Sequence, residues 1–265
     1  MEILTQLTPT QVYLIQEGPD ATLKDLLKYT LADLFIKEVL TLEERDEEAS
    51  DSPALTPAYV SAGRNFREYV SQPHERCFLD FFDQNDDIEV LFKHLIAIGY
   101  RAAKSKRDYV YRRLIKNEAL HGYFKTGFFN ALWAKVVLTE EGVAVRNTIE
   151  TTLRNLEEQL SILLKVNPVA ARQMLHQLQG NVLLLRGLDL TLVAKIDTAL
   201  AQWMAQQQKR EAPEIFVFLE DFDDWFDAFD SAFDAADASD SGSSGDSGDS
   251  GCSGCSGCGG CGGCS

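Results

Sequence analysis

The sequence has almost no cysteine before its end and no basic residue in its last fifth. Cys77 is the only cysteine before residue 252, so the chain lacks the half-cystines that a disulfide framework needs. Residues 1–210 hold 25 basic and 28 acidic residues, whereas residues 211–265 hold 13 acidic residues and no basic one. The excess negative charge therefore belongs to the C-terminal part, and the rest of the chain is close to neutral.

A secretory signal and a membrane-spanning run are missing as well. The start, MEILTQLTPT, has no basic region followed by an apolar region. The most apolar stretch, residues 181–196, is too short to span a bilayer and contains Arg186, Asp189 and Lys195. We therefore expect a cytoplasmic protein without a transmembrane segment.

Motifs for catalysis are also absent from the sequence. The four histidines are scattered, none lies in an HExxH pattern, and no glycine-rich phosphate loop follows a predicted strand. His74, Glu75 and Cys77 lie together in PHERC. However, Cys77 begins the apolar run CFLDFF, which favours a buried structural cysteine over a nucleophile. The sequence predicts a protein that is not an enzyme.

Hydrophobic periodicity predicts a mainly α-helical fold with small β-hairpins. Thr8 followed by Pro9 is typical of the start of a helix, and residues 21–40 place leucines at helical spacing. Two short extended segments, residues 39–44 and 56–63, then flank an acidic loop. A helix pair followed by two such segments indicates a winged-helix-like unit.

A similar order recurs later in the chain. Residues 86–103 and 107–120 are predicted helices, and an aromatic connector leads from them to VVLTEEG, residues 136–142. There, the valines favour a strand and Thr139 is suited to cap the next helix. Residues 59–70, YVSAGRNFREYV, are the predicted counterpart in the first half.

These patterns predict tandem winged-helix-like units. The first unit covers residues 1–71, and the second unit with its C-terminal helices covers residues 72–205. An acidic aromatic segment follows at 206–238, and a disordered Ser/Gly/Asp linker with a Cys-rich tail occupies 239–265. The alternative is one helical domain with two small hairpins.

The plan of the chain resembles a known bacterial family. A winged-helix-like domain of about 200 residues, followed abruptly by a low-complexity end rich in Gly and Cys, resembles the "near-uncomplex" proteins. That resemblance implies no particular activity. The segments LADLFIKEVLTLEE and LIKNEALHGYF…LTEEG are more distantly similar to the Golgi phosphoprotein-3-like fold, whose members bind phosphoinositide head groups. No specific motif matches, so this second resemblance implies no lipid-binding residue here.

Residues 101–135 form the most basic region, with interleaved tyrosines. Such a surface is typical of proteins that bind phosphates of nucleic acid or anionic lipid heads, and the alternative is a solvated helix face. The acidic C-terminal part would repel a nucleic acid, so we do not favour that partner. The candidate anion-binding residues are Arg101, Lys104, Lys106, Arg107, Arg112, Arg113 and Lys116.

Residues 213–238 alternate aromatic and acidic residues. A helix would gather the aromatic side chains on one face, which needs a cover because large exposed apolar patches promote aggregation. The cover is either a groove on a partner protein or the basic region 101–135 of the same chain, and we favour the second. The alternative is a C-terminal helix that simply packs on the domain. The candidate docking residues are Phe218, Phe222, Trp225, Phe226, Phe229 and Phe233.

The last fifteen residues, GCSGCSGCGGCGGCS, place a cysteine at every third position. Glycine lets such a segment wrap, so that four thiolates can enclose a soft metal ion such as zinc or Cu(I). The spacing does not fit a ferredoxin run, and no basic neighbour is present to lower a thiol pKa for redox catalysis. The candidate metal ligands are Cys252, Cys255, Cys258, Cys261 and Cys264.

Together these features predict a non-enzymatic binding or scaffold protein that displays a Cys-rich tail for soft-metal binding or modification. Two alternatives stay open. One is a winged-helix DNA-binding regulator, and the other is the precursor of a modified Cys-rich peptide.

Overall fold

A computed structural model of the protein describes residues 1–44, 58–83, 85–116, 118–125, 136–187 and 222–241. Nine α-helices and one small antiparallel sheet lie within these ranges, which confirms the predicted mainly helical fold with little β-structure. None of the helices described there has both the length and the apolar character that crossing a bilayer requires.

The helices and strands follow one another in this order. The helices are α1 (Glu2–Gln6), α2 (Pro9–Glu17), α3 (Leu23–Ile36), α4 (Arg76–Leu79), α5 (Phe92–Ala103), α6 (Lys106–Asp108), α7 (Glu140–Val166), α8 (Pro168–Leu178) and α9 (Phe222–Ser241). The strands are β1 (Leu40–Glu44), β2 (Ala58–Ala62) and β3 (Val90–Leu91). A π-helix at Tyr109–Leu114 and a 3₁₀-helix at Gln179–Leu184 complete the parts that matter below.

Local signals place the first helices. Thr8 caps α2 through a capping box with Gln11, as the Thr-Pro pair predicts. The α3 helix begins after Thr22, whose Oγ1 accepts a hydrogen bond from the backbone N–H of Asp25 at 3.0 Å. It ends at Ile36, before the predicted limit of residue 40, because Glu38 has a φ of 52° and turns the chain into β1.

The sheet has the strand order β1-β2-β3. The β1 and β2 strands are antiparallel and confirm the two predicted extended segments, with Leu40 opposite Ala62. The β3 strand was predicted to be the start of a helix over residues 86–103. That prediction is wrong, because Val90 pairs with Val60 across the sheet and the helix begins only at Phe92.

The predicted helix over residues 107–120 is also replaced by shorter pieces. The backbone N–H of Ile115 donates to the carbonyl of Val110 at 2.8 Å, an i to i−5 bond that defines the π-helix. This wider turn brings Tyr109, Val110 and Leu114 into the core together. Helical periodicity alone does not encode such a turn.

Thr139 caps α7 as predicted, since its Oγ1 accepts a hydrogen bond from the backbone N–H of Gly142 at 3.1 Å. The strand predicted just before it is reduced to a single bridge between Phe124 and Leu138. In the first half, a 3₁₀ turn at Phe66–Glu68 stands where the counterpart helix was expected. A bond from the Asn65 backbone N–H to the Glu38 carbonyl, 3.1 Å long, holds the chain back against the sheet there.

One hydrophobic core runs across the predicted boundary at residue 71. It includes residues from both predicted units and also Trp225, Phe229 and Phe233 of α9. The β2 and β3 strands share one sheet although they lie on opposite sides of that boundary. The division into two winged-helix-like units therefore stays a prediction, while the packing is that of a single core.

Candidate functional site: the groove that holds the C-terminal helix

The α9 helix forms the most distinctive surface of the protein. Trp225, Phe229 and Phe233 recur every four residues, so they lie on one face, and all three are buried. Asp227 and Asp234 lie on the exposed side. The predicted amphipathic helix is therefore present over residues 222–241, and it continues past the predicted boundary at residue 238.

The groove that receives α9 is built by α3 and α5. The ring centroid of Trp225 lies 6.1 Å from that of Phe35 on α3 and 5.7 Å from that of Phe92 on α5. Further along, Phe233 lies 5.1 Å from Tyr100 in an edge-to-face arrangement. The α9 helix thus runs parallel to α5, with Trp225 near the first residue of α5 and Phe233 near its last turn.

Two lysines of α3 complement the aspartates of α9. Lys28 Nζ lies 2.5 Å from Asp230 Oδ1, and Lys24 Nζ lies 2.5 Å from Asp234 Oδ1. The Lys28 ammonium also lies 4.5 Å from the ring centroid of Phe226, a cation–π contact. Its side chain is only 9% exposed, so this charge depends on α9 for its partner.

Two polar contacts hold the C-terminal half of α9 against the groove. The Tyr100 hydroxyl donates to Asp237 Oδ1 at 2.6 Å. The hydrogen bond to Asp234 raises the pKa of Lys24 above its ordinary value, with burial acting in the opposite direction. Both contacts bind the acidic side of α9 to the groove, so charge and aromatic packing act together.

The sequence prediction placed the intramolecular docking surface in the basic region 101–135, but these ion pairs lie on α3. Lys24 and Lys28 were missed because they lie four residues apart within an ordinary amphipathic helix. Of the predicted docking residues, Trp225, Phe229 and Phe233 are the buried anchors and Phe226 is half-buried. Phe218 and the side chain of Phe222 lie outside the described residues.

The predicted anion-binding residues divide into two groups. Three of them have structural partners. Lys106 Nζ donates to the Pro19 carbonyl at 2.8 Å, Arg112 pairs with Asp108 at 3.1 Å, and Arg113 donates to the Pro73 carbonyl at 3.1 Å. The other four are exposed, and no described residue pairs with them; they are Arg101, Lys104, Arg107 and Lys116.

A buried polar cluster lies on the other side of α3. Lys37 Nζ donates to Asp33 Oδ2 at 2.6 Å and to the Tyr69 hydroxyl at 3.3 Å, and it lies 3.9 Å from Glu75 Oε1. Glu75 accepts hydrogen bonds from the Tyr69 hydroxyl and from the Gln72 backbone N–H, each 2.7 Å long. The cluster joins α3 to the segment that leads into α4.

Burial dominates the electrostatics of this cluster. It raises the pKa of Asp33 and of Glu75, while the Lys37 ammonium opposes that rise in both cases. For Lys37 itself, burial would lower the pKa, but attraction to Asp33 and its neighbours raises it above its ordinary value. The 2.6 Å contact between Lys37 Nζ and Asp33 Oδ2 thus opposes the effect of burial on the pKa of both groups.

His74 and Cys77 are buried beside the cluster. His74 Nε2 lies 3.2 Å from Thr8 Oγ1, and burial lowers the histidine pKa to about 3, with Lys37 and Arg113 adding to the effect. The Cys77 thiol donates to the His74 carbonyl at 3.0 Å, and burial raises its pKa to about 12. The prediction that Cys77 is a buried cysteine is confirmed.

A pocket of about 220 Å³ opens next to these residues, between the α1–α2 connection and the end of α8. Asp33 and Lys37 form part of its wall, together with the backbone of Gly180. A Cβ atom at residue 180 would collide with Asp33 Oδ1, so glycine is required for this close approach. Asn181 Nδ2 closes the wall by donating to the carbonyl of Leu4 at 2.6 Å.

No group of three or more His, Cys, Asp or Glu side chains suited to a metal ion occurs among the described residues. The five tail cysteines, Cys252, Cys255, Cys258, Cys261 and Cys264, lie outside the described ranges. The predicted zinc or Cu(I) site therefore stays a prediction.

Comparison of the chain with protein-family models, with curated proteins and with solved structures finds no match. The resemblances to the near-uncomplex proteins and to the Golgi phosphoprotein-3-like fold accordingly stay predictions as well.

Proposed function

We propose that this protein is a non-enzymatic, cytoplasmic binding or scaffold protein that displays a Cys-rich tail for soft-metal binding or modification. The docking of α9 in the α3–α5 groove carries this proposal. It anchors the acidic segment at Trp225, Phe229 and Phe233, and ten residues separate the end of the helix at Ser241 from the first tail cysteine. The docked helix thereby fixes the position of the chain at Ser241, before the five cysteines in the sequence.

The chemistry of the tail supports a soft metal as its ligand. Only Ser and Gly separate the five cysteines, so no bulky side chain prevents four thiolates from converging on one ion. Thiolates select zinc and Cu(I) over hard cations such as magnesium. Cysteine thiols are also suitable acceptors for covalent modification.

The buried residues support a role without catalysis. Cys77, the one cysteine of the described residues, has a raised thiol pKa and is only 2% exposed, which does not suit attack on a substrate. His74 is fully buried and its Nε2 already contacts Thr8. Asp33, Lys37 and Glu75 engage one another, which is typical of a structural ion-pair cluster.

Native mass spectrometry of the full chain tests the proposal. The reduced protein is measured with and without zinc and, separately, Cu(I), beside a variant in which the five tail cysteines are serine. We expect the wild type to gain the mass of a bound ion, less the thiol protons that the ion displaces, and the serine variant to gain none. The Cys77→Ser variant is the matched control and should bind metal like the wild type.

Protein isolated from its native source separates metal binding from modification. A tail mass that differs from the calculated one and persists after chelation would indicate modification, including the precursor-peptide alternative. An unmodified tail that binds neither zinc nor Cu(I) would contradict the proposal.

A second candidate function is the binding of an anionic ligand. The four exposed cations Arg101, Lys104, Arg107 and Lys116 favour it, because no described residue pairs with them. Vesicles that contain anionic lipid, and a DNA duplex at two salt concentrations, test this function and also distinguish a lipid surface from the DNA-regulator alternative. Loss of binding in Arg101→Ala/Lys104→Ala, but not in Lys106→Ala, would assign it to the exposed group.

A further inference from the structure

The walls of the α3–α5 groove are held by the rest of the domain. The α3 helix packs against α2 and the 3₁₀-helix at Gln179–Leu184, and α5 packs against α4 and β2. Phe35 and Phe92, which form the floor beneath Trp225, therefore project from helices that have other supports. The groove is thus a preformed surface for a helix.

The α9 helix, in contrast, is weak without the groove. It contains no basic residue, and Asp227, Asp230 and Asp234 repel one another at spacings of three and four residues. Most of the stability of a helix in a protein comes from the packing of its apolar face rather than from helix propensity. Its folding is therefore coupled to docking, as in helices that fold on binding.

The contacts define a recognition pattern. Aromatic anchors stand at 225, 229 and 233, and a carboxylate follows each of the last two anchors at Asp230 and Asp234. These carboxylates meet Lys28 and Lys24 in reverse order along α3, which fixes the direction of the helix. A helix in another register or direction would lose both ion pairs.

We propose that the α3–α5 groove is a recognition site for an acidic aromatic helix of a partner protein, and that α9 is its resident competitor. The partner helix carries aromatic residues at i, i+4 and i+8 with carboxylates at i+5 and i+9, and it occupies the groove in place of α9.

Charge makes the site selective. Lys28 is nearly buried between Asp230 and the ring of Phe226, so an occupant without a carboxylate there would leave a desolvated ammonium unpaired. A neutral or basic amphipathic helix is therefore rejected, even where its aromatic residues fit. Only an acidic aromatic helix can pair with the lysines of α3 and also pack against the aromatic rings of the groove.

A partner helix must compete with α9, which is covalently joined to the groove. A segment joined to its own binding site has an effective concentration on the order of millimolar. A partner helix must therefore dock more tightly than α9, or meet a chain in which α9 is weakened. Its docking would release α9 together with the Cys-rich tail.

The test uses the full chain with its five tail cysteines changed to serine, which separates this inference from the proposed role of the thiols. A labelled peptide with the sequence of residues 222–241 is the probe, and fluorescence anisotropy is the readout. We expect weak binding to this chain and at least about tenfold tighter binding when Phe229→Ala and Phe233→Ala weaken the resident helix.

Charge reversal provides the matched control. On the weakened chain, a peptide with Asp230→Lys and Asp234→Lys should bind about tenfold or more weakly than the native peptide. Adding Lys24→Glu and Lys28→Glu to the chain should invert that preference. Equal binding of the two peptides, or no binding of the native peptide to a weakened chain that keeps the near-ultraviolet circular dichroism of a folded protein, would overturn the proposal.

Hydrogen exchange covers the case in which the weakened chain does not fold. Excess peptide is added to the ¹⁵N-labelled chain with an unaltered α9, and exchange of the labelled amides of residues 222–241 is followed. Faster exchange with the native peptide, and not with the charge-reversed peptide, supports displacement. Unchanged exchange at saturating peptide refutes it.

Discussion

The hydroxyl oxygens of Thr30 on α3 and Tyr109 in the π-helix lie 2.7 Å apart in the centre of the core. They are separated by 79 residues, and each lies on a different side of the predicted boundary at residue 71. Thr30 also shares a hydrogen bond with Thr10 at 2.8 Å. This polar chain therefore joins α2, α3 and the π-helix inside otherwise apolar packing.

Removing the Tyr109 hydroxyl tests this junction. We expect Tyr109→Phe to lower the free energy of unfolding by about 1 kcal/mol, because a buried hydrogen bond is lost and Thr30 keeps other partners. Urea denaturation followed by circular dichroism measures the change. Tyr123→Phe is the control, since no described residue bonds to its hydroxyl, and an equal loss in both variants would contradict the prediction.

Phe229 and Phe226 of α9 should contribute very differently to the free energy of docking. Phe229 is fully buried, so Phe229→Ala should weaken docking by about 3 to 5 kcal/mol. Phe226 is only half-buried, so Phe226→Ala should weaken docking much less. Hydrogen exchange of the amides of α9 reports docking directly. If the two alanine variants exchange alike, the buried face has been assigned incorrectly.

The stability of the protein should depend on pH through His74. Burial lowers the pKa of this histidine from 6.5 to about 3, so the unfolded chain takes up a proton between these values and the folded chain does not. The contribution of His74 to stability is therefore fully present above about pH 6.5 and is lost as the pH drops towards 3. The raised pKa values of Asp33 and Glu75 act with the opposite sign, because their contribution is lost as the pH rises.

Comparison with His74→Gln isolates the histidine, because both proteins retain the two carboxylates. We expect the wild type to lose up to about 1.4 kcal/mol more per pH unit than the variant between about pH 6 and pH 4. Urea denaturation across this range gives the slopes. Parallel slopes would show that His74 is not held neutral in the folded protein.

Gly99 on α5 should resist substitution although it lies inside a helix. A Cβ atom at this position would collide with the ring of Phe78 on α4, so Gly99→Ala should destabilise the protein by about 1 to 3 kcal/mol. Alanine otherwise favours a helix by about 1 kcal/mol. The double variant Gly99→Ala/Phe78→Leu should recover part of the loss, and additive losses in thermal unfolding would contradict this contact.

Short-range chemistry made several parts of the structure predictable. The cap at Thr8, the cap at Thr139 and the aromatic face of α9 each follow from residues that lie within a few positions of one another. The strands β1 and β2 were predictable as two extended segments, although 13 residues separate them. These features need only local hydrogen bonds and helical or strand periodicity.

The helical character of the chain, its helix caps and the amphipathic nature of α9 follow from local residue patterns. The docking position of α9 depends instead on long-range packing, because Lys24 and Lys28 become its partners only when α9 lies against both α3 and α5. Long-range packing also explains two differences from the predicted helices. A π-helix, which brings Tyr109 to Thr30, stands in place of part of the predicted helix 107–120. A strand that pairs Val90 with Val60 stands in place of the start of the predicted helix 86–103. Such contacts join residues far apart in the chain, and no local pattern records them.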